Sequence, residues 1–123
     1  MTRAAIVAVA LLAAGCAGET IVATEPRAVN AYEIAPYEVQ EECALLAEGD
    51  RLDYRFESRA PVIFNLYYKE GTTFLSPISR EDVTADSGVF LARTPRRYCL
   101  RWESGRQGAI ISYRIRLLPA GAR

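Results

Sequence analysis

Hydrophobic and polar residues alternate with a period of two in the C-terminal part of the chain. Apolar side chains occupy every second position of residues 97–103, and residues 109–118 repeat the pattern after the glycine-containing segment 104–108. Such alternation is typical of a strand with one buried face. Two such strands separated by a short glycine-containing segment predict a β-hairpin, and its apolar face requires a second sheet to cover it.

Five further segments have the composition of strands: residues 39–46, 51–57, 62–68, 73–76 and 87–92. Segment 62–68 is rich in β-branched and aromatic residues, so we expect a central strand covered on both faces. Pro61 interrupts the pattern before it, and the polar segment 79–86 predicts a loop or a single helical turn. Together with the hairpin these segments make about seven short strands, which predicts an all-β fold, a small antiparallel β-sandwich or a partly open barrel.

The N-terminus has the features of an export signal. Residues 4–14 form an apolar run of signal-peptide length that is too short to span a bilayer. The run ends in Leu12-Ala13-Ala14-Gly15-Cys16, which resembles the lipobox of bacterial lipoproteins. The resemblance implies cleavage before Cys16 and lipidation of that cysteine. An ordinary secretory signal, cleaved near Ala14 or Ala17, is the alternative.

The lipobox resemblance implies a domain organisation. Residues 1–15 are then the signal peptide, and residues 16–36, small and polar with two prolines, are the lipidated N-terminus and a flexible tether. Residues 37–118 form the predicted β-sandwich, and residues 119–123 form a tail. Two or more acyl chains anchor a protein stably. Ala17 after the cysteine favours, by the same resemblance, the outer membrane, with the domain facing the periplasm.

Charge is balanced overall but unevenly distributed. The chain has 15 basic and 15 acidic residues, so its net charge does not point to nucleic acid. Arg101 lies on one strand of the predicted hairpin and Arg114 and Arg116 on the other, which predicts one arginine face. Guanidinium groups suit phosphate and carboxylate partners, here a lipid phosphate, an anionic glycan or an acidic protein. The alternative, which the sequence favours, is pairing with Asp53 and Glu57 of a neighbouring strand.

Two cysteines, Cys43 and Cys99, remain in the predicted mature domain. Disulfides form in exported proteins, so the pair predicts a bridge that stabilises the domain by about 4 kcal/mol. Two separate buried thiols are the alternative. Cys43 falls on the more apolar face of its segment, whereas Cys99 shares a face with Arg101 and Glu103. The bridge is therefore expected outside the sandwich, or Cys99 at a β-bulge.

Few residues suit catalysis or metal binding. The chain has no histidine, which removes the commonest general base and a frequent metal ligand. Asp50 with Asp53, or Glu81 with Asp82, are possible acid pairs, but acids in turns usually accept hydrogen bonds from the backbone. A calcium site around Asp82 and Asp86 does not match the spacing of a calcium loop. We therefore expect no enzymatic activity, no metal and no cofactor apart from the covalent lipid.

The order of these features resembles that of GOLD domains, luminal β-sandwiches of secretory-pathway cargo receptors. A cysteine on an early strand precedes the turn Glu48-Gly49-Asp50, a dense strand, the turn Lys69-Glu70-Gly71 and the motif Ser87-Gly88-Val89-Phe90. The motif Tyr98-Cys99-Leu100-Arg101-Trp102 and a closing strand follow. The resemblance covers residues 42–118, is shared in part with bacterial pre-peptidase C-terminal domains, and implies the fold and the bridge but not cargo-receptor function.

These features predict a lipid-anchored lipoprotein of the cell envelope whose non-catalytic β-sandwich serves as a protein-interaction or accessory module. Its expected partners are the membrane, through the lipid on Cys16, and an envelope protein. The alternative is a ligand-binding lipoprotein that contacts glycan or lipid phosphate through Arg101, Arg114 and Arg116. A small enzyme is the least favoured class.

Overall fold

The computed structural model describes residues 26–121 of the chain, and every regular element in that range is a β-strand. The all-β class predicted from the alternation of residues is confirmed. The six strands are β1 (Arg27–Ile34), β2 (Val39–Leu46), β3 (Arg51–Glu70), β4 (Thr73–Leu91), β5 (Arg96–Ser104) and β6 (Ala109–Leu118).

The long strand β3 organises the sheet. One of its edges pairs with β4 over nearly its full length. Its other edge pairs first with β6, through residues 51–58, and then with β5, through residues 62–67. β1 extends the sheet beyond β6, and β2 extends it beyond β5. All pairings are antiparallel, in the order β1-β6-β3-β5-β2.

This sheet is folded on itself into a sandwich of two layers. Half I consists of β1, β6, residues 51–58 of β3 and residues 85–91 of β4; half II consists of β2, β5, residues 62–70 of β3 and residues 73–83 of β4. The pairing of β3 with β4 is irregular between Glu57 and Val62, where β3 passes from half I to half II. Strands that switch layers at a bend or bulge form the corners of such sandwiches.

Aromatic side chains from both halves meet in the core. Phe56 and Tyr113 of half I lie with their ring centroids 5.9 and 4.4 Å from that of Trp102 in half II. Phe64 of half II lies 4.7 Å from Phe56. Trp102 and Phe64 have no solvent-exposed surface. Tilted and offset aromatic pairs contribute about 0.5–1.5 kcal/mol each beyond burial, so this cluster holds the two halves together.

The hairpin predicted from residues 97–118 is wrong. β5 pairs with β2 and the second part of β3, whereas β6 pairs with β1 and the first part of β3. The connecting segment 105–108 crosses from half II to half I instead of reversing the chain within one layer. Gly108 permits the crossing, because its φ is 69° and a Cβ there would come within 2.7 Å of the Ile34 carbonyl oxygen.

β3 and β4 each contain two of the shorter strands predicted from the sequence. The interruption predicted at Pro61 is the corner of β3, and the predicted loop at residues 79–86 lies within β4. Asp82, with φ of 51°, lies at an irregularity between Arg80 and Val83, which pair with Phe64 and Val62 of half II. β4 then passes to half I between Val83 and Ala85, so its corner lies at the end of the polar segment. Six strands therefore replace the predicted set of about seven.

The predicted tether at residues 16–36 is too long, because β1 occupies residues 27–34. β1 pairs along β6, with Ala28 opposite Arg114 and Ile34 opposite Ala109. Without β1 the edge of β6 would present unpaired backbone groups to solvent. The folded domain therefore includes β1 and does not begin at residue 37.

Candidate functional site

Cys16, the predicted lipidation site, lies outside the described residues, as does the whole predicted signal peptide. No helix within residues 26–121 has the length and apolarity needed to cross a membrane. The lipid anchor stays a prediction.

Cys43 and Cys99 form the predicted disulfide, with their sulfur atoms 2.09 Å apart. The two residues are directly opposite each other across β2 and β5, on the outer face of half II. The disulfide therefore joins β2 and β5 on the outer surface of the sandwich. This is one of the two arrangements expected from the alternation in β5, the other being Cys99 at a β-bulge. The assignment of Cys43 to the more buried face of β2 is wrong, because Glu42, Ala44 and Leu46 are the residues that point into the core.

The arginine face predicted from β5 and β6 is divided between the two layers. Arg101 alternates with buried neighbours on β5 and projects from the outer face of half II. Arg114 and Arg116 alternate with buried neighbours on β6 and project from the outer face of half I. The halves pack through their inner faces, so these outer faces point away from each other. The prediction failed because β5 and β6 are not neighbours in the sheet.

Arg101 belongs to a polar network on half II. Its Nε lies 3.7 Å from Oε1 of Glu41, and its Nη1 lies 3.4 Å from Oε2 of Glu103. Tyr67 donates a hydrogen bond of 2.6 Å to the same oxygen of Glu41. Burial, the hydrogen bond to Glu41 and the charge of Glu41 raise the pKa of Tyr67 to about 12, so its hydroxyl remains a donor at neutral pH. Arg101 is thus neutralised by carboxylates of its own layer.

Apolar side chains flank this network on the outer face of half II. Leu45 and Phe74 lie toward one end of the face and are 64% and 60% exposed. Val39 and Ile63 lie at the other end, both in register with Glu103, and are 38% and 37% exposed. Aromatic residues and arginine, here Phe74, Tyr67 and Arg101, are enriched at protein interfaces.

On the outer face of half I, Arg114 and Arg116 lie beside Arg55, which the sequence analysis did not select. Arg55 is directly opposite Arg114 across β3 and β6, and Asp53 is opposite Arg116. Opposed residues have Cβ atoms about 4.5–5.5 Å apart, a distance at which like charges destabilise a sheet. Together with Pro26 these four residues line a cleft of about 440 Å³, which we call the arginine cleft.

None of the three guanidinium groups of the arginine cleft forms an ion pair within the described part of the chain. The ion pairs of that range involve Arg27, Arg80, Arg96 and Arg101. The predicted pairing of Arg114 and Arg116 with Asp53 and Glu57 is therefore not found there, although Asp53 stands opposite Arg116. The cleft carries three positive charges and one negative charge, and all three arginines are exposed.

A second cleft, of about 490 Å³, adjoins the arginine cleft, since Arg55 and Arg114 line both. Asn30, Glu57 and Ser112 supply its other polar side chains. The arginines therefore stand in the middle of a longer polar groove along β6. Arg55 and Arg114 line both clefts, so their opposed pair lies where the two clefts meet.

A buried carboxylate, Glu42, escaped the sequence analysis. Its side chain pairs with Arg27 and accepts a hydrogen bond of 2.9 Å from the Tyr113 hydroxyl, which in turn accepts one from Gln40 Nε2. Burial, with a contribution from Glu42, raises the pKa of Tyr113. The network joins β1 of half I to β2 of half II. The sequence signal for the burial of Glu42 is its position four residues before Leu46, which places both side chains on the same face of the strand.

The acids considered for catalysis serve structural roles or stand apart. Asp50 accepts hydrogen bonds of 2.8 Å from the backbone N–H groups of Ala47 and Ala120, as expected for an acid in a turn. Asp53 projects from the middle of half I, opposite Arg116. The two carboxylates therefore have different partners and do not act as one pair.

The residues considered for calcium binding do not form a ligand cluster. Within residues 26–121, the one group of at least three potential ligand side chains comprises Glu41, Cys43 and Cys99, and both of its sulfur atoms are held in the disulfide. Asp82 and Asp86 lie on the edge strand β4.

No family model matches the sequence, and no curated protein matches it significantly. The lipobox and the likeness to GOLD domains therefore stay predictions, and the functional argument depends on the surfaces described above.

Proposed function

We propose that the protein is a lipoprotein of the bacterial cell envelope, anchored through lipid on Cys16, whose β-sandwich is a non-catalytic protein-interaction module. The apolar run at residues 4–14 and the lipobox-like sequence that follows it support export and anchoring. A disulfide-bonded domain fits an exported protein. Ala17 after the cysteine favours the outer membrane, with the domain facing the periplasm.

The proposed protein interface is the outer face of half II. Four large apolar side chains, Val39, Leu45, Ile63 and Phe74, are exposed there. They surround charged groups already satisfied by the network around Glu41, so a partner covering this face would gain apolar burial without having to neutralise Arg101. Each Å² of apolar surface removed from water is worth about 25 cal/mol, which favours a protein partner over a small polar ligand.

Photo-crosslinking in intact envelopes tests this proposal. A photoreactive amino acid in place of Phe74 is expected to give a discrete protein adduct, because the side chain stands beside Tyr67 on the proposed interface. The matched control is Arg106, which is also exposed but lies in the crossing segment between the halves. The absence of a protein adduct at Phe74, or the same diffuse set of adducts at both positions, would contradict an interface on half II.

The arginine cleft favours a second function, the binding of an anionic ligand. The sequence assigned this role to Arg101, Arg114 and Arg116, whereas the cleft groups Arg114 and Arg116 with Arg55. Guanidinium groups in close array bind phosphate or carboxylate through paired N–H donors. This function is compatible with the interaction proposal, since the two surfaces lie on opposite faces of the sandwich.

A further inference from the structure

We propose that the arginine cleft binds the phosphate groups of anionic lipid headgroups, so that the outer face of half I rests on the membrane that holds the anchor. The proposal rests on the lipid anchor proposed for Cys16 and names the ligand class of the second function. It also assigns an orientation, with half I toward the bilayer and half II toward partners.

The arginine cleft on half I has an excess of positive charge that an external anion would neutralise. Arg55 and Arg114 are placed directly opposite each other, an arrangement that costs stability in an isolated sheet. Arg116 adds a third charge, and within the described residues no carboxylate pairs with any of the three. A phosphate group between the guanidinium forks converts this repulsion into charge-assisted hydrogen bonds.

The connection to the anchor places the cleft near the membrane. Pro26, the first described residue, lines the cleft together with Arg116. It follows Cys16 by ten positions, and ten residues span at most about 35 Å. The chain from the anchor therefore enters the domain at the arginine cleft, and the cleft can reach the headgroups of the same bilayer.

Exposed apolar residues beside the cleft favour a membrane surface over a soluble anion. Val89 stands next to Asp53 across β3 and β4, and Leu91 stands next to Arg51. Val89 is 58% exposed and Leu91 is 39% exposed. Apolar side chains next to basic ones are buried at the boundary between headgroups and acyl chains when a protein lies on a bilayer. A free phosphate or a polar glycan leaves both side chains in water.

The test uses the full chain as isolated from envelopes, carrying a photoreactive amino acid in place of Val89 and mixed with vesicles. With vesicles that contain phosphatidylglycerol we expect lipid adducts at this position, and with phosphatidylcholine vesicles we expect few. The same probe in place of Leu45, on the opposite face, is expected to give none. Each arginine near an anionic surface contributes about a fivefold factor, so Arg55→Gln, Arg114→Gln and Arg116→Gln together are expected to weaken docking of this face about a hundredfold. The adduct yield at Val89 is then expected to fall to the level seen with phosphatidylcholine vesicles.

The control variant combines Arg93→Gln, Arg97→Gln and Arg106→Gln, which removes the same formal charge from exposed positions outside the cleft. It is expected to keep most of the lipid adducts. Near-UV circular dichroism and the mass of the intact disulfide establish that both triple variants are folded. Equal loss in the two triple variants would show a net-charge effect and overturn the cleft as the site.

Failure of the anchor and failure of the cleft give different results. Flotation with phosphatidylcholine vesicles reports the anchor alone, and a chain that does not float with them lacks it, whatever the adducts show. Protection of the cleft arginines from phenylglyoxal by inorganic phosphate, without lipid adducts at Val89, would identify a site for soluble phosphate. That result would overturn the membrane proposal.

Discussion

Trp102→Ala is expected to lower the free energy of unfolding by about 3–5 kcal/mol. Trp102 is completely buried, and its ring contacts those of Phe56, Phe64 and Tyr113, which come from both halves of the sandwich. Its removal leaves a cavity where aromatic rings from the two layers meet. Small domains are stable by only about 5–15 kcal/mol, so the variant is expected to be partly unfolded or close to it.

Denaturant unfolding with the disulfide intact measures this effect. Phe74→Ala is the matched control, because Phe74 is an aromatic residue on β4 with a largely exposed side chain, and its loss is expected to change stability by about 0.5 kcal/mol or less. Trp102→Phe is expected to cost less than Trp102→Ala, since it keeps most of the ring volume and removes a buried indole N–H without a partner in the described structure. Equal stability of Trp102→Ala and wild type would refute the assignment of the core.

Loss of the disulfide is expected to lower the free energy of unfolding by about 4 kcal/mol. Cys43 and Cys99 are 56 positions apart in sequence, so the bridge closes a long loop and removes much of the conformational freedom of the unfolded chain. The bridge also joins β2, an edge strand of half II, to β5. The variant Cys43→Ala with Cys99→Ala is the test, again by denaturant unfolding.

Reduction of the wild type serves as the control for the disulfide. A reducing agent is expected to lower the stability of the wild type to that of the double variant and to leave the double variant unchanged. A loss of stability by the double variant that reduction does not reproduce would indicate a packing defect from the substitutions. If the double variant and the reduced wild type were both within about 1 kcal/mol of the oxidised wild type in stability, the chain-entropy account would be contradicted.

The sequence predicted the fold class because period-two alternation reports directly which side of a strand is buried. Residues 97–103 and 109–118 are strands with the predicted faces inward. Pairing was predicted less well, because alternation says nothing about which strand is the neighbour. The glycine-containing segment 104–108 has the composition of a hairpin turn. It crosses between the layers instead, and the absence of a Cβ at Gly108 allows it to pass close to the Ile34 carbonyl at the end of β1.

The prediction for β2 failed because its two faces differ little in hydrophobicity. Val39 and Leu45 suggested a buried face, but that face is the outer one, and the inner face includes the charged Glu42. Glu42 is accommodated there by Arg27 and Tyr113, partners that lie far away in sequence. Long-range compensation of this kind leaves no trace in local patterning.

The arginine site was predicted in part. Arg114 and Arg116 share a face of one strand, which alternation determines, and they do line one cleft. A hairpin of β5 and β6 would place Arg101 beside them, but the two strands are not paired. Arg55 stands there instead, through the register of β3 against β6, which depends on the whole sheet. The corners of β3 and β4 were similarly mistaken for strand ends, since a bend and a terminus have the same local signals.

The central claim, a disulfide-bonded domain held at the membrane by lipid on Cys16, is tested most directly by the intact mass of the mature protein extracted from envelopes without reduction. The account predicts a chain that begins at Cys16, carries the added mass of diacylglycerol and an N-linked acyl chain, and contains one disulfide. A mature chain with a free, unacylated N-terminus near Ala14 or Ala17 would show an ordinary secreted protein and contradict the anchor.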